Sequence, residues 1–279
     1  MAQGFNLEVP FHNDIHAVDI LHMCHLFLTK GEIIQKAKLN IFDICAFLIA
    51  ALIHDYKHPG FTNMFLVNSK HPIAVQYNDT SVLENYHLAE TFQIIYNEPN
   101  CNFLRKLSID EEKIFRKRII ESVLATDNLK HGTLINLLKN LIATNNIKNG
   151  ENNQNILNEE TPITTFNSQQ LILNAVLHCC EVGNHMRKLD RYQARFASLL
   201  EEFRKQGDKE KELKIQVSFL CDRENKHVQK NQINYMQGMT KPILSLLCEI
   251  FPKMNFLLNY VEDNLKYYKN FVATMPQQD

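Results

Sequence analysis

Apolar residues recur at helical spacing along most of the chain, and turn residues between the runs are few. From Asn13 to Thr29 the pattern carries Ile15, Val18, Leu21, His22, His25 and Leu26, and Gly31 closes it. Asn40 is a good N-cap for the next helix. That helix ends in the apolar run Ile44 to Ile53 and runs straight into His54-Asp55-Tyr56-Lys57-His58-Pro59-Gly60. The run is too short to span a bilayer and reads as a buried helix stopped by Pro and Gly. Residues 60–78 are broken by Gly60 and Pro72 and read as turns and short helical pieces. Thr80 or Ser81 caps a helix reaching about Tyr96, before Pro99. Ser108 and Glu111 form a capping-box pattern before Ile114, Ile119, Ile120, Val123 and Leu124.

Further helices are expected over 130–144, 168–182, 189–205, 226–251 and 255–271, with a kink near Gly238 and Pro242. No alternating strand pattern and no repeat stands out. The expectation is an all-α fold, a multi-helix single domain over residues 1–279. Residues 145–160 are rich in Asn, Glu and Lys and read as a mobile surface loop rather than a linker.

Composition sharpens this picture in three ways. The 279 residues include only 8 Gly and 8 Pro, as a helical protein would, and 45% hydrophobic residues allow a sizeable core. The net charge of −1 gives no reason to expect a nucleic-acid partner. Seven Cys, an odd number without a C-x-x-C, fit a reduced compartment, so the expectation is a soluble cytoplasmic protein. No signal peptide or membrane segment is apparent, because His12, Asp14 and His16 interrupt the first residues. Oligomeric state is not legible.

Chemistry concentrates in two histidine pairs, His12 with His16 and His54 with His58, each four residues apart and so on one face of any helix. Two such pairs are a modest excess over chance for 12 His, and a lone His is more often a hydrogen-bonded core or surface residue. The company they keep changes the balance. His-Asp at the end of a buried helix is costly unless compensated, and a metal ion compensates well. A His-Asp pair also suits two-metal phosphohydrolysis, since the carboxylate can bridge two ions.

A family resemblance then becomes specific. His12-Asn13-Asp14-Ile15-His16-Ala17-Val18-Asp19 and the His54–Gly60 segment resemble the two signature motifs of class I cyclic nucleotide phosphodiesterases. Further blocks follow in the family's order: Asn78-Asp79-Thr80-Ser81-Val82-Leu83-Glu84-Asn85-Tyr86-His87, Ala125-Thr126-Asp127 with His131, and His178-Cys179-Cys180-Glu181-Val182-Gly183-Asn184. Glu201-Glu202-Phe203 with Gln206-Gly207-Asp208, and Gln232 with Tyr235, complete the set, so the likeness covers about residues 10 to 270.

The resemblance implies an HD-type metal-dependent hydrolase that converts a 3′,5′-cyclic nucleotide to its 5′-monophosphate, with a slight lean to cyclic AMP over cyclic GMP. It implies two divalent ions, zinc first and magnesium or manganese second. His16, His54, Asp55 and Glu181 would hold the first ion, and Asp55 would reach the second. His12 would protonate the leaving oxygen, and Glu84 would orient His12. His58 and Asp127 would surround the metals. Gln232, Tyr235, Asn184, Leu199 and Phe203 would form the nucleotide pocket.

Two departures from the family pattern stand out. Glu181 occupies the place of an Asp, adding one methylene, roughly 1.5 Å of reach where metal distances tolerate about 0.2 Å. A re-seated ligand, a weaker site or a lost one all remain open, so a catalytically weak homologue that binds nucleotide or a partner is the alternative reading. Gly183 and His185 likewise stand for the family's Ser and Pro, and Tyr235 for its Phe. Secondly, family domains carry further helices before the first His motif, whereas Met1 lies close to His12. Exposed apolar surface and marginal stability are therefore expected.

Overall fold

Side-chain caps set where several of the helices begin. The computed structural model describes residues 4–144 and 162–274. Within them the α-helices are α1 (Asp14–Thr29), α2 (Ile33–Lys36), α3 (Ile41–Ile53), α4 (Asn63–Asn68), α5 (Pro72–Gln76), α6 (Val82–Asn97) and α7 (Ile109–Leu124). They continue as α8 (His131–Thr144), α9 (Phe166–Glu181), α10 (Leu189–Glu212), α11 (Val228–Tyr235), α12 (Lys241–Ile250) and α13 (Asn255–Thr274). No strand occurs among the described residues, so the fold is all-α as expected. The loop expected over 145–160 lies outside the described residues.

Asn13 caps α1, Asn40 opens α3 with a capping box completed by Asp43, and Ser108 with Glu111 does the same for α7. Ser81 precedes α6 in the left-handed region (φ 42°), and its hydroxyl is turned away to donate to Asp127 Oδ2 at 2.7 Å. α10 runs on to Glu212, past the expected end near Lys205. The apolar pattern is interrupted there because Glu202, Gln206 and Glu210 face inward and are satisfied by polar partners. Gln206 Nε2 donates to Glu210 Oε1 at 3.0 Å, and Thr62 N donates to Gln206 Oε1 at 2.9 Å. The irregularity expected at Gly238 and Pro242 is a π-helical turn, Met236–Thr240. A proline ring clashes with the carbonyl four residues earlier, here Gly238, and a widened turn relieves that contact.

Two helices organise the interior. α3 packs against α1 and α7, and α9 packs against α1, α7, α8 and α12. Ala17 on α1, Ala46, Ala50 and Ala51 on α3 and Ala175 on α9 are fully buried, and their small side chains let the helices approach closely. One buried apolar cluster includes residues from Phe5 to Val261. The Cys of the described residues are all free. Ile15 and Val18 on α1, and Ile41 and Phe42 on α3, are exposed apolar side chains. No described helix is long and apolar enough to cross a membrane.

A buried guanidinium ties these helices together. Arg118 on α7 is 1% exposed. Its Nε donates to Asp43 Oδ1 at 2.9 Å, Nη1 to the Phe166 carbonyl at 3.0 Å and to Gln170 Oε1 at 3.2 Å, and Nη2 to Gln169 Oε1. The link joins the start of the helix that delivers His54 to the start of the helix that delivers Glu181. Removing one partner of a buried ion pair leaves an uncompensated charge, so Arg118→Leu is expected to cost about 3–5 kcal/mol in urea unfolding. A loss below about 1 kcal/mol, the range of exposed pairs, would contradict this role.

Candidate metal and nucleotide site

The site lies where α3 ends and α1 begins. His54 is the C-cap of α3, and its Nδ1 donates to the Ala51 carbonyl at 2.9 Å. That bond fixes the tautomer and leaves Nε2 turned to the other side. Nε2 lies 3.3 Å from His16 Nε2 and 3.0 Å from Glu181 Oε2. His16 Nε2 is also 3.0 Å from Glu181 Oε2. His16 is held in the first turn of α1 by Asn13, whose Oδ1 accepts from the Ile15 and His16 amides. Glu181, the last residue of α9, therefore reaches both imidazoles despite its longer side chain.

Asp55 completes the group. Its Oδ2 lies 3.3 Å from His16 Nε2 and 3.1 Å from His54 Nε2 but makes no hydrogen bond, although it is buried. Burial works against charge at His54, Asp55 and Glu181, yet the charges hold one another in place. Asp55 and Glu181 raise the His54 pKa well above its usual value. His54 and His16 hold the Asp55 carboxyl well below the carboxylate range, and His16 and His54 do the same for Glu181. Two buried carboxylates demand positive charge between them, and a divalent cation supplies it. Ligand atoms of His12, His16, Asp55 and Glu181 lie within 4.8 Å of one another, as do those of Asp55, His58 and His87.

His12 precedes α1 and is oriented by Glu202, not by Glu84. Its Nδ1 pairs with Glu202 Oε1, while Glu202 Oε2 accepts from the Phe11 amide at 2.9 Å and the His12 amide at 3.1 Å. Burial would depress the His12 pKa, but Glu202 lifts it to about 9. In return His12 holds the buried Glu202 carboxyl at about 2. His58 stacks on the His12 ring at 4.2 Å and is pushed down to about 3, first by burial and then by His12. Arg195 lies over the Phe11 ring at 4.6 Å, and Phe11 packs against His16 at 4.6 Å.

The expected contact between Glu84 and His12 is thus corrected. Both Glu84 oxygens accept from Asn63 Nδ2, at 3.2 and 3.1 Å, and Asn63 Oδ1 accepts from the Leu83 amide. Burial and the nearby Asp127 raise Glu84 to about 7. Asp127 itself caps a short 3-10 turn through the Leu129 amide and takes the Ser81 hydroxyl. Glu202 lies in a block already singled out in the sequence, but nothing local there marks it, rather than Glu84, as the partner of His12. His87 was also passed over. Its Nδ1 donates to the Tyr56 carbonyl at 2.6 Å, and its buried Nε2 has no hydrogen bond and lies 3.7 Å from Asp55 Oδ1.

A second group gathers beside the first. The Gln232 side-chain amide lies 2.7 Å from the Tyr192 hydroxyl and 3.3 Å from His185 Nε2. The Tyr235 ring is 5.7 Å from the His185 ring, and burial and Glu181 push its hydroxyl pKa up. Asn184 presents a buried Nδ2 without a hydrogen bond. Leu199 and Phe203 lie one turn apart on α10, half-buried and flanking Glu202. The structure thus brings Gln232 and Tyr235 together with His185, and Tyr192 joins them unanticipated.

A helical fold enclosing imidazoles and carboxylates about a cation-sized gap defines a metal-site hydrolase architecture of the HD type. The sequence pattern of the 3′5′-cyclic nucleotide phosphodiesterase family matches residues 11–261, and the chain belongs to that family. It is 32% identical over 267 residues to a probable 3′,5′-cyclic-AMP phosphodiesterase (pde-4) of Caenorhabditis elegans, covering 95% of this chain and 38% of the relative. It is 31% identical over 273 residues to the 3′,5′-cyclic-AMP phosphodiesterase 4C of Rattus norvegicus, covering 98% of this chain and 49% of the relative. The chain therefore spans less than half the length of these relatives. The phosphodiesterase domain of the RhoPDE fusion protein from Salpingoeca rosetta superposes with a TM-score of 0.85 at 30% identity, covering 98% of this chain and 81% of that one. LmjPDEB1, solved with IBMX, shares the fold with a TM-score of 0.86 at 22% identity, over 98% of this chain and 78% of that one.

The pairing of His12 with Glu202 has a direct readout. In Glu202→Gln the carboxylate that raises the imidazole is gone, so the His12 pKa measured by NMR is expected to fall from about 9 by at least 1 unit. Glu84→Gln is expected to leave it nearly in place. The reverse pattern would restore Glu84 as the partner.

Proposed function

We propose that the chain hydrolyses a 3′,5′-cyclic nucleotide to the 5′-monophosphate, with cyclic AMP favoured over cyclic GMP, and that it acts as one catalytic domain. The observation that carries this reading is the meeting of His16, His54, Asp55 and Glu181, with a buried Asp55 oxygen that no hydrogen bond satisfies. The relatives' names support the nucleotide class and the lean to cyclic AMP.

The donor set fits a metal. Two imidazole nitrogens and two carboxylates suit zinc, and Asp55, with His58 and His87 nearby, suits a harder magnesium or manganese ion that keeps much of its water. Bound there, the ions would neutralise phosphate charge and activate the attacking water. Of the chain's own groups, His12 carries the acid role. With its pKa near 9 it is protonated at neutral pH, and Glu202 occupies Nδ1, leaving the Nε2 proton for the 3′ oxygen as it departs. His58, neutral and stacked beneath, fixes the ring plane without adding charge. Glu84 and Asp127 stand in the surrounding shell. Gln232 hydrogen-bonds the base edge, and Tyr235 and Leu199 hold the ring faces, with Asn184 and Phe203 at the pocket's wall.

Glu181 raised the competing reading of a weakened homologue, and the reach of its Oε2 to both imidazoles favours a working site. Parent protein loaded with zinc and magnesium is expected to hydrolyse cyclic AMP, and a chelator to stop it. His12→Ala should lower kcat by about 100-fold or more while keeping its metal content and fold. Near-parent turnover in His12→Ala would remove the acid role. Turnover confined to Glu181→Asp, with none in the parent, would favour the weakened homologue.

A further inference from the structure

Arginine stands three residues before a serine twice in this chain, in Arg105-Lys106-Leu107-Ser108-Ile109 and in Arg195-Phe196-Ala197-Ser198-Leu199, each time with an aliphatic residue after the serine. Protein kinases sort substrates by such charge patterns, and one class reads cations two and three residues before the acceptor and an apolar residue after it. The structure separates the two candidates. Ser198 lies in the interior of α10, and Arg195 is turned inward over the Phe11 ring. No kinase cleft reaches that serine without unwinding the helix.

Ser108 is differently placed. It is the N-cap of α7, and its backbone and that of Leu107 are extended (ψ 161° and 149°), as in a peptide laid along a cleft. Arg105, Lys106 and Ser108 are exposed, and the Ile109 side chain is 75% exposed and so free to enter an apolar pocket. The two cations end a 3-10 turn of four residues, Phe103–Lys106, a short element that opens readily. Their side chains make no hydrogen bond or ion pair among the described residues, whereas Lys113 and Lys117 on α7 pair with Asp110 and Glu121 at 3.7 Å. With Asn100, Asn102 and Phe103 they line a surface concavity.

The acids that follow Ser108 have their own explanation. Asp110, Glu111 and Glu112 fill the first turn of α7, where the helix dipole favours negative charge. Glu111 Oε2 is already bound to Ser108, accepting from its amide and its hydroxyl, both at 2.8 Å. An acid-reading kinase would find that carboxylate engaged, while a cation-reading kinase finds Arg105 and Lys106 free.

We propose that Ser108 is a phosphorylation site for a protein serine kinase that reads Arg105 and Lys106, with ATP as the phosphoryl donor. Ser108 Oγ attacks the γ-phosphorus of ATP. The new O–P bond forms as the β–γ bridging P–O bond breaks, ADP leaves with that electron pair, and the serine proton passes to the carboxylate base of the kinase. The product carries roughly two negative charges where Glu111 was bound. Like charge expels Glu111 from the cap, and the free Arg105 and Lys106 become the partners of the phosphate. The mark thus changes the cap of α7, the helix whose Arg118 ties α3 to α9. It stands independently of the reading of the metal site.

The test incubates the full chain with Mg-ATP and an arginine-directed protein serine kinase, runs an acid-directed kinase beside it, and locates phosphate by tandem mass spectrometry. The arginine-directed enzyme is expected to modify Ser108 and not Ser198, and to leave this position bare in Ser108→Ala. Its initial rate is expected to fall about 10-fold or more in the double variant Arg105→Ala/Lys106→Ala, which loses two charge-assisted contacts. Both cations are exposed and unpaired, so the double variant keeps the parent's fold and carries the test should Ser108→Ala lose its cap and unfold. Absence of phosphate on Ser108, a rate there within about 2-fold of the parent's in the double variant, or faster modification by the acid-directed kinase would overturn the inference.

Discussion

Two carboxylates buried against imidazoles are the constraint on which the rest of the structure depends. Asp55 and Glu181 come from opposite halves of the chain and lie within about a hydrogen bond's length of the same two ring nitrogens. Like charges so placed repel unless something positive stands between them. The carboxylates push the His54 pKa upward, so a protonated imidazole would meet part of that demand. A divalent cation would do so more completely and would also satisfy the Asp55 oxygen that no hydrogen bond reaches. The scaffold is arranged to hold this arrangement together. Small residues draw α1, α3 and α9 close, and Arg118 locks the far ends of α3 and α9 through Asp43, Gln169 and Gln170.

Much of the architecture was legible in the residues because local chemistry decides it. Asn13, Asn40 and Ser108 start their helices where capping rules place them, but α3 ends at Ile53, ahead of the Pro59 and Gly60 expected to stop it, and His58 lies beyond a turn with Lys57 in the left-handed region. The end of α10 was not legible, since its inward Glu and Gln interrupt the apolar period and find partners only in the folded chain. The π turn before Pro242 was visible as an irregularity but not as a geometry.

At the site, spacing and family resemblance found His12, His16, His54, Asp55 and Glu181, which do meet. They misassigned the partner of His12. Both Glu84 and Glu202 are buried acids in blocks that carry the family resemblance, and only tertiary packing shows that Asn63 occupies Glu84 while the turn at Phe11 and His12 faces Glu202. His185 and Tyr192 were hidden for a similar reason. They meet only in the folded chain, where the Gln232 side chain lies against both the Tyr192 hydroxyl and His185 Nε2.

The central claim is that Glu181, despite its extra methylene, closes a metal site with His16, His54 and Asp55. Zinc affinity of the metal-stripped protein, read by isothermal titration calorimetry beside that of Glu181→Ala, tests it most directly. The account predicts stoichiometric zinc binding by the parent, a zinc-dependent rise in Tm, and affinity at least about 10-fold weaker in Glu181→Ala. Equal zinc affinity in the two proteins, or no binding by the parent, would contradict it.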